Sequence, residues 1–212
     1  SMNYTLRNSL LKLLLTREID LKEFIEEVYT LYYKLPVYVA NSLYTLLGSH
    51  DTPRIKTLVK RFCGEKNVCK RLLYLLYAIL FAFYGSPAIY YGDEIGMENG
   101  SDIQARKPMI WNTDYWDKEL LEFIKELTEL RKRYQSLRQG FTILNNVSDK
   151  ILLVKRFFEN EEIHGYFNMY HDYVKATLYE GEYRVLLSRG AVIKNGEVFM
   201  EPYGFLLVKI KR

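Results

Sequence analysis

The chain has 212 residues, which is long enough for one large or two small domains. Hydrophobic residues make up 49% of it, so a globular core is available, and the net charge of +4 comes from interleaved acidic and basic side chains. Because no basic stripe with interleaved aromatic residues is present, we expect no nucleic-acid partner. The uncharged run from Leu72 to Tyr84 is too short to cross a bilayer and is typical of a buried helix, so we expect no membrane association.

Cysteines are few, and this bounds the metal and redox chemistry. With only Cys63, Cys69 and one nearby histidine, we expect no metal site and no cofactor. Both thiols are expected to be reduced in a cytoplasmic protein, with a local disulfide as the alternative. No signal peptide is predicted, since Arg7 and Lys12 interrupt the early leucines.

The first half of the chain is predicted to alternate strands and helices. Residues 2–4 read as the end of a strand, and a helix follows over 6–15. Asp20 and Glu23 form a capping pair at the start of a second helix, which Pro36 ends. Two further strands each lead into a loop and then a helix: strand 44–48 before helix 67–84, and strand 88–91 before helix 117–135.

The last two predicted helices have expected N-caps and are separated by a long loop. Asn67 and Asp117 are the expected N-caps. The helix 67–84 is apolar on nearly every side, so it must be covered on more than one face. A loop of about 20 residues ends near Trp111, and loops of that length are more often functional than idle. For Trp111 and Trp116, sugar stacking and anchoring of this loop both stay open.

From Gly140 the pattern changes to short alternating apolar runs. They predict an antiparallel β-sandwich. Asn195-Gly196 indicates a tight hairpin, and Glu180-Gly181 indicates a turn. The predicted strands are 151–157, 163–170, 173–179, 183–188, 191–194, 197–200 and 205–210.

Two stretches place charged side chains where a predicted strand ends. The first is Leu46 to Arg54, which carries His50 and Asp51 at the carboxyl end of its strand, the end at which parallel barrels carry their chemistry. Taken alone, such a pair is as often a turn or a helix cap as a site. The second stretch, Gly85 to Met97, carries adjacent carboxylates at positions 93 and 94. Because neighbours on a strand point to opposite faces, we interpret them as one structural and one rim carboxylate.

Together the two motifs resemble the alpha-amylase superfamily of glycoside hydrolases, a (β/α)8-barrel family. His50 and Asp51 resemble the signature that follows the seventh barrel strand, and Gly85, Pro87 and Glu94 resemble that of the eighth. The sequence Leu-Gly-Ser-His-Asp-Thr-Pro-Arg is most similar to that of the cyclomaltodextrinase, neopullulanase and maltogenic amylase branch.

The resemblance implies an α/β part followed by an all-β part. Residues 1–138 would be the last two to three βα units of a partial (β/α)8 (TIM) barrel, and residues 139–212 an antiparallel β-sandwich domain. Thr45 stands where the family more usually has Asn, so hydrogen bonding at this strand end is expected to differ.

The resemblance also implies roles for single residues. Asp51 would be the catalytic carboxylate that stabilises the transition state, and His50 would bind the same sugar. Arg54, Glu94 and Arg106 would line the rim or brace the loops. Retaining glycosidases also need a carboxylate nucleophile and an acid/base carboxyl group. In the family these follow the fourth and fifth strands, and no residue here corresponds to them.

We therefore expect a segment of a retaining alpha-glucan hydrolase that is inactive alone. It would act on an alpha-glucan or maltodextrin only when complemented by the missing N-terminal barrel portion. Self-association as a homodimer through the open barrel face is expected, because part of the apolar surface of helix 67–84 would otherwise be exposed. The alternative is a non-catalytic alpha-glucan-binding or assembly module.

Overall fold

The computed structural model describes residues 1–99, 105–178 and 180–211. Its first part is mainly helical around two short parallel strands, β1 (Tyr44–Leu46) and β2 (Ser86–Ala88), and Met2 adds a parallel bridge to Tyr44. A π-helical turn, Lys12–Thr16, continues the first helix. None of the helices in the described ranges is long and apolar enough to span a membrane. The helices are α1 (Tyr4–Leu11), α2 (Leu21–Tyr33), α3 (Val37–Asn41), α4 (Ile55–Phe62), α5 (Lys66–Ala82), α6 (Lys118–Arg133) and α7 (Gln135–Gln139).

Two of the three predicted helix caps are confirmed. The Asp20 side chain accepts from the Glu23 amide at 2.8 Å, and the Glu23 side chain accepts from the Asp20 amide at 2.8 Å, which completes a capping box before α2. Asp117 accepts from the Leu120 amide at 3.2 Å at the start of α6. The prediction for Asn67 is wrong, because α5 already begins at Lys66.

The second strand lies earlier in the chain than predicted. Residues 86–88, not 88–91, pair with β1. Gly85 precedes them with φ of +94°, and a Cβ there would lie 2.6 Å from Thr45 Cγ2, so only glycine allows this entry against β1. The Asp93 amide then donates to the Tyr90 carbonyl at 3.0 Å, and this turn ends the extended region.

Five elements of the described residues were outside the sequence prediction: α3, α4, α7, a 3-10 turn (Thr113–Tyr115) and the strand β3 (Phe141–Asn146). The helix α4 had a readable signal, since Ile55, Leu58, Val59 and Phe62 follow helical spacing. Its position matters because it leads directly out of the loop that carries His50.

The C-terminal part is an antiparallel sheet, as predicted. Asn195 and Gly196 both have positive φ, 49° and 75°, and form the tight hairpin between β7 and β8. Of the predicted strand 173–179, residues 174–177 are extended, and Tyr179 lies outside the described residues. The strands after β3 are β4 (Ile151–Phe158), β5 (Glu161–Asn168), β6 (Val174–Thr177), β7 (Tyr183–Lys194) and β8 (Glu197–Ile210).

The strands form one curled sheet instead of the two sheets of a sandwich. In the described residues the order is β3-β4-β5-β8-β6, with β7 also paired to β8. The long β8 connects both halves, since residues 197–200 pair with β6 and residues 205–209 pair with β5. The sheet therefore folds back on itself and encloses an apolar core built from β4, β5, β6 and β8.

From Leu72 onward, helix α5 is covered on all sides. Every residue from Leu72 to Tyr84 is less than a tenth exposed. Besides α4 and α6, the helix contacts β5 and β8 of the curled sheet. The expectation that part of its apolar surface lies open is therefore wrong, because the β part covers what the short parallel sheet cannot.

The two cysteines form a disulfide. Cys63 follows α4 and Cys69 lies in the first turn of α5, with their Cα atoms 5.5 Å apart. The expectation of two reduced thiols is therefore wrong for this structure. The turn between the two helices brings the thiols within bonding range, which the spacing in the sequence left open.

Candidate active site

The loop after β1 presents His50 and Asp51 at the carboxyl end of the strand. Ser49 organises this loop: its amide donates to Thr52 Oγ1 at 2.9 Å, and its Oγ accepts from the Asp51 amide at 3.2 Å. The Tyr4 hydroxyl, from α1, donates to the same Oγ at 3.0 Å. The turn that carries both side chains is therefore held by local bonds and by α1.

His50, Asp51 and Arg106 come together in one exposed cluster. His50 Nε2 lies 3.0 Å from Asp51 Oδ2, and Arg106 Nη2 donates to Asp51 Oδ1 at 2.9 Å. Arg106 Nε also donates to the His50 carbonyl at 3.3 Å. All three side chains are at least half exposed. Among the described residues, each oxygen of Asp51 thus has one of these two partners, and the side chain is 59% exposed to solvent.

Arg54 lies in a second, buried cluster that joins three parts of the chain. Its Nη1 donates to Asp93 Oδ1 at 2.9 Å and to the Tyr91 carbonyl at 2.7 Å, and its Nη2 donates to the Ala105 carbonyl at 3.1 Å. The guanidinium also lies 5.0 Å from the ring centroid of Tyr90. Arg54 therefore ties the loop after β1 to the loop after β2 and to the segment that leads into Arg106.

Asp93 is buried, and burial raises the pKa of its carboxyl group to about 7 against the opposing charge of Arg54. A Cβ at Gly48 would lie 2.4 Å from Asp93 Oδ2, so glycine in the loop after β1 lets this carboxyl group approach the backbone there. Burial also raises the pKa of the Tyr77 hydroxyl well above its ordinary value, and the nearby Asp93 adds to that effect.

Glu94 is only partly buried, unlike its neighbour Asp93. Both residues lie in the turn after β2, not on a strand, so the alternation that the sequence suggested is not the cause of their difference. Arg54 binds Asp93 and not Glu94 among the described contacts. Thr45 is fully buried beside Gly85, and its hydroxyl has no partner among the described residues.

The two tryptophans behave differently. The Trp116 indole N–H donates to the Ile110 carbonyl at 2.7 Å and the ring is half-buried, so it anchors the loop. Trp111 is 78% exposed. Within the described ranges, no group of three or more His, Cys, Asp or Glu side chains could hold a metal ion.

Comparison with known proteins identifies the family. The model of the alpha-amylase catalytic domain matches residues 1–116. A cyclomaltodextrinase from Geobacillus thermopakistaniensis is 33% identical over 219 residues, which cover 99% of this chain and 36% of that protein. Neopullulanase 2 from Thermoactinomyces vulgaris is 40% identical over 141 residues, which cover 66% of this chain and 23% of that protein.

A solved structure agrees. The crystal structure of a maltogenic amylase from S. marinus matches with a TM-score of 0.80 and 39% identity, over 98% of this chain and 28% of that one. The chain thus spans about a third or less of the length of these relatives. The resemblance is confirmed, and the chain belongs to the alpha-amylase family of glycoside hydrolases.

Proposed function

We propose that this chain supplies part of the sugar-binding end of an alpha-glucan hydrolase active site. Asp51 is the catalytic carboxylate that stabilises the transition state, and His50 binds the same sugar. The observation that carries the proposal is the exposed cluster of His50, Asp51 and Arg106 at the end of a parallel strand, in a chain of this family. Asp51 can accept bonds from two sugar hydroxyls, and such bonds strengthen as the ring gains oxocarbenium character.

The parallel strands are proposed to belong to a (β/α)8 barrel. Met2, β1 and β2 would be the ends of its last three strands, and residues 1–138 its last two to three βα units, followed by a β domain over 139–212. The parallel pairing of Met2, β1 and β2 supports this assignment. Arg54 and Arg106 then brace the loops at the carboxyl ends of these strands, and Glu94 lies at the rim.

Residues 1–212 by themselves are proposed to be inactive. Hydrolysis with retention needs a nucleophile and an acid/base carboxyl group besides Asp51. Asp93 is a poor substitute, because its carboxyl group is buried and bonded to Arg54. The remaining barrel strands are therefore the proposed partner.

The open edge of β2 is where that partner would pair. In the described part of the chain β2 pairs only with β1, so its other edge is free to accept a parallel strand. Beside it lie grooves whose walls include the partly exposed apolar residues Ile89 and Leu121. A strand and helix from the same barrel would cover this surface.

Complementation tests the proposal. Residues 1–212 are assayed with cyclodextrin, pullulan and a chromogenic maltoside, alone and mixed with a polypeptide that carries the preceding barrel strands. We expect no turnover alone and turnover in the mixture. Turnover should be lost in Asp51→Asn and kept in Lys175→Ala, which changes an exposed side chain on β6. Turnover by residues 1–212 alone, sensitive to Asp51→Asn, would refute the inactivity. A stable mixed complex without turnover would refute the active-site role.

Self-association is the alternative way to cover the open edge. Two copies joined through residues 1–138 would pair their free strand edges. Sedimentation equilibrium at micromolar concentration should then give a dimer. A well-folded monomer, or a dimer built on residues 139–212, argues against it.

A non-catalytic alpha-glucan-binding module is the second candidate function. The exposed rings of Trp111 and Tyr115 on the loop after β2 favour it, because exposed aromatic side chains suit sugar stacking. Saturable maltodextrin binding without any turnover in the complemented mixture would support this candidate over the first.

A further inference from the structure

A cavity of about 860 Å³ lies apart from the His50–Asp51 cluster. Its walls are α4, the disulfide-closed turn, the first turns of α5 and the segment 113–119. None of the five candidate active-site residues lines it. Its size is that of pockets that enclose a small molecule.

Three aromatic side chains line the cavity: Tyr74, Tyr115 and Trp116. Two of them are fixed, since the Tyr74 ring stacks on Phe123 with centroids 4.4 Å apart, and the Trp116 indole bonds to the Ile110 carbonyl. Tyr115 is 75% exposed and can adjust to a ligand. Tyr74 is only 9% exposed and supports the cavity wall, so Tyr115 and Trp116 are the rings that can pack against the C–H faces of a pyranose.

The charges around the cavity are balanced. Lys56 Nζ lies 3.0 Å from Asp117 Oδ2, Lys60 Nζ lies 2.6 Å from Glu98 Oε1, and Lys70 is paired with Glu119. Only Lys66 and Asp114, of opposite sign, complete the charged lining. The paired lysines have little net positive charge left for an anion. Adjacent donors and acceptors instead match the vicinal hydroxyls of a neutral sugar.

The disulfide makes one wall rigid. Cys63, Gly64 and Cys69 all line the cavity, and the cross-link fixes the turn between α4 and α5. A preformed wall reduces the entropy that a ligand loses on binding.

We propose that this cavity is a second sugar site, which binds a neutral alpha-glucan segment independently of Asp51. The choice of an alpha-glucan rests on the proposed function. The assignment of the cavity as a binding site rests on its aromatic rings, its balanced charges and its rigid wall.

The test uses residues 1–212 and maltotetraose in isothermal titration calorimetry. We expect saturable binding with a Kd on the order of 1 mM. Tyr115→Ala should weaken it by about fivefold, since one stacking ring is lost. Glu119→Gln should weaken it too, because one of the two carboxylate oxygens that can accept from a sugar hydroxyl becomes an amide donor. Tyr173→Ala is the matched control, a tyrosine of similar exposure (78%) in the β part, and should bind as the unchanged chain does. The Tyr115-dependent part of the binding should persist in Asp51→Asn.

Several outcomes would overturn the proposal: no saturable binding up to ~10 mM maltotetraose, equal binding by Tyr115→Ala, or loss of binding in Asp51→Asn. Binding of inorganic phosphate in place of maltotetraose would show an anion site instead. Asp51-dependent turnover in the complementation assay, together with binding that ignores Tyr115, would reject this site and leave the proposed function intact. Tyr115-dependent binding without turnover in that assay would reject the proposed function and leave this site intact.

Discussion

At the scale of single residues, the ion pair of Arg54 with Asp93 organises the candidate active site. Neither side chain is more than 2% exposed, and Arg54 also bonds to two carbonyl groups of other loops. By contrast, the pair of Arg106 with Asp51 is exposed to solvent and contributes little to stability. The buried pair is therefore structural, and the exposed pair is free to exchange partners with a ligand.

Replacing Arg54 by alanine should destabilise the chain strongly. Arg54→Ala leaves the Asp93 carboxyl group buried without its partner. Above pH 7, where that group is ionised, removal of one member of a buried pair costs about 3–5 kcal/mol. The measurement is urea unfolding followed by circular dichroism. Lys132→Ala, which breaks the exposed pair with Glu129, should cost less than about 0.5 kcal/mol. A loss below ~1 kcal/mol for Arg54→Ala would show that the pair does not hold the loops.

Asp93 should make stability depend on pH in one direction. Burial raises its pKa from 3.8 to about 7, so between these values the unfolded chain releases the proton while the folded chain keeps it. The free energy of unfolding, relative to Asp93→Asn, should therefore fall as pH rises from about 4 to 7, by up to about 1.4 kcal/mol per unit. Below about pH 4 the full contribution of protonated Asp93 to the free energy of unfolding is present. A difference that rises with pH would mean that Arg54 lowers the pKa instead.

At the scale of elements, the turn between α4 and α5 is the part that the disulfide controls. It connects the helix that follows the His50 loop to the most buried helix of the molecule. Reduction opens a small closed loop. The chain-entropy model assigns the closure of such a loop a stabilisation of about 2 kcal/mol.

A reductant should therefore lower the unfolding midpoint of the chain. The double variant Cys63→Ser with Cys69→Ser should already have the lower midpoint and should not respond to reductant. Mass spectrometry of the unreduced chain should show two hydrogens fewer across the peptides that contain Cys63 and Cys69. Two free thiols in protein isolated without reductant would contradict the structure. They would also favour the cytoplasmic location, which stays a prediction.

At the scale of the whole molecule, the helical part and the β part share a core. Buried residues of α1, α2, α5 and α6 form one cluster with residues of β3, β4, β5 and β8. The rings of Phe123 on α6 and Phe205 on β8 lie 6.0 Å apart. Arg17 donates to the Met169 carbonyl at 3.0 Å and to the Tyr203 hydroxyl at 2.9 Å. The boundary between residues 138 and 139, which stays a prediction, thus crosses a continuous apolar interior.

We expect the two parts to unfold together. Because α5 is covered by β5 and β8, loss of the sheet would expose its apolar surface, so calorimetry should show one transition. Phe205→Ala should lower its midpoint and cost about 3–5 kcal/mol. Phe141→Ala, an exposed phenylalanine of the same sheet, is the control and should have a small effect. Two separate transitions, of which only that of the β part shifts in Phe205→Ala, would contradict a shared core.

The sequence by itself determined the features that depend on neighbouring residues. The capping box at Asp20, the hairpin at Asn195-Gly196 and the strand ending before His50 and Asp51 are all local, since backbone preference and short-range hydrogen bonds decide them. The family resemblance likewise rested on short local sequence motifs. The late start predicted for β2 failed because its register depends on how Gly85 packs against β1.

Only the tertiary structure decided which distant residues meet. Arg106 reaches Asp51 across 55 positions, and Arg54 reaches Asp93 across 39. The curl of β8 and the cover over α5 likewise arise from packing between parts that lie far apart in the chain. Such contacts depend on the position of every element between the partners, and no local pattern encodes them.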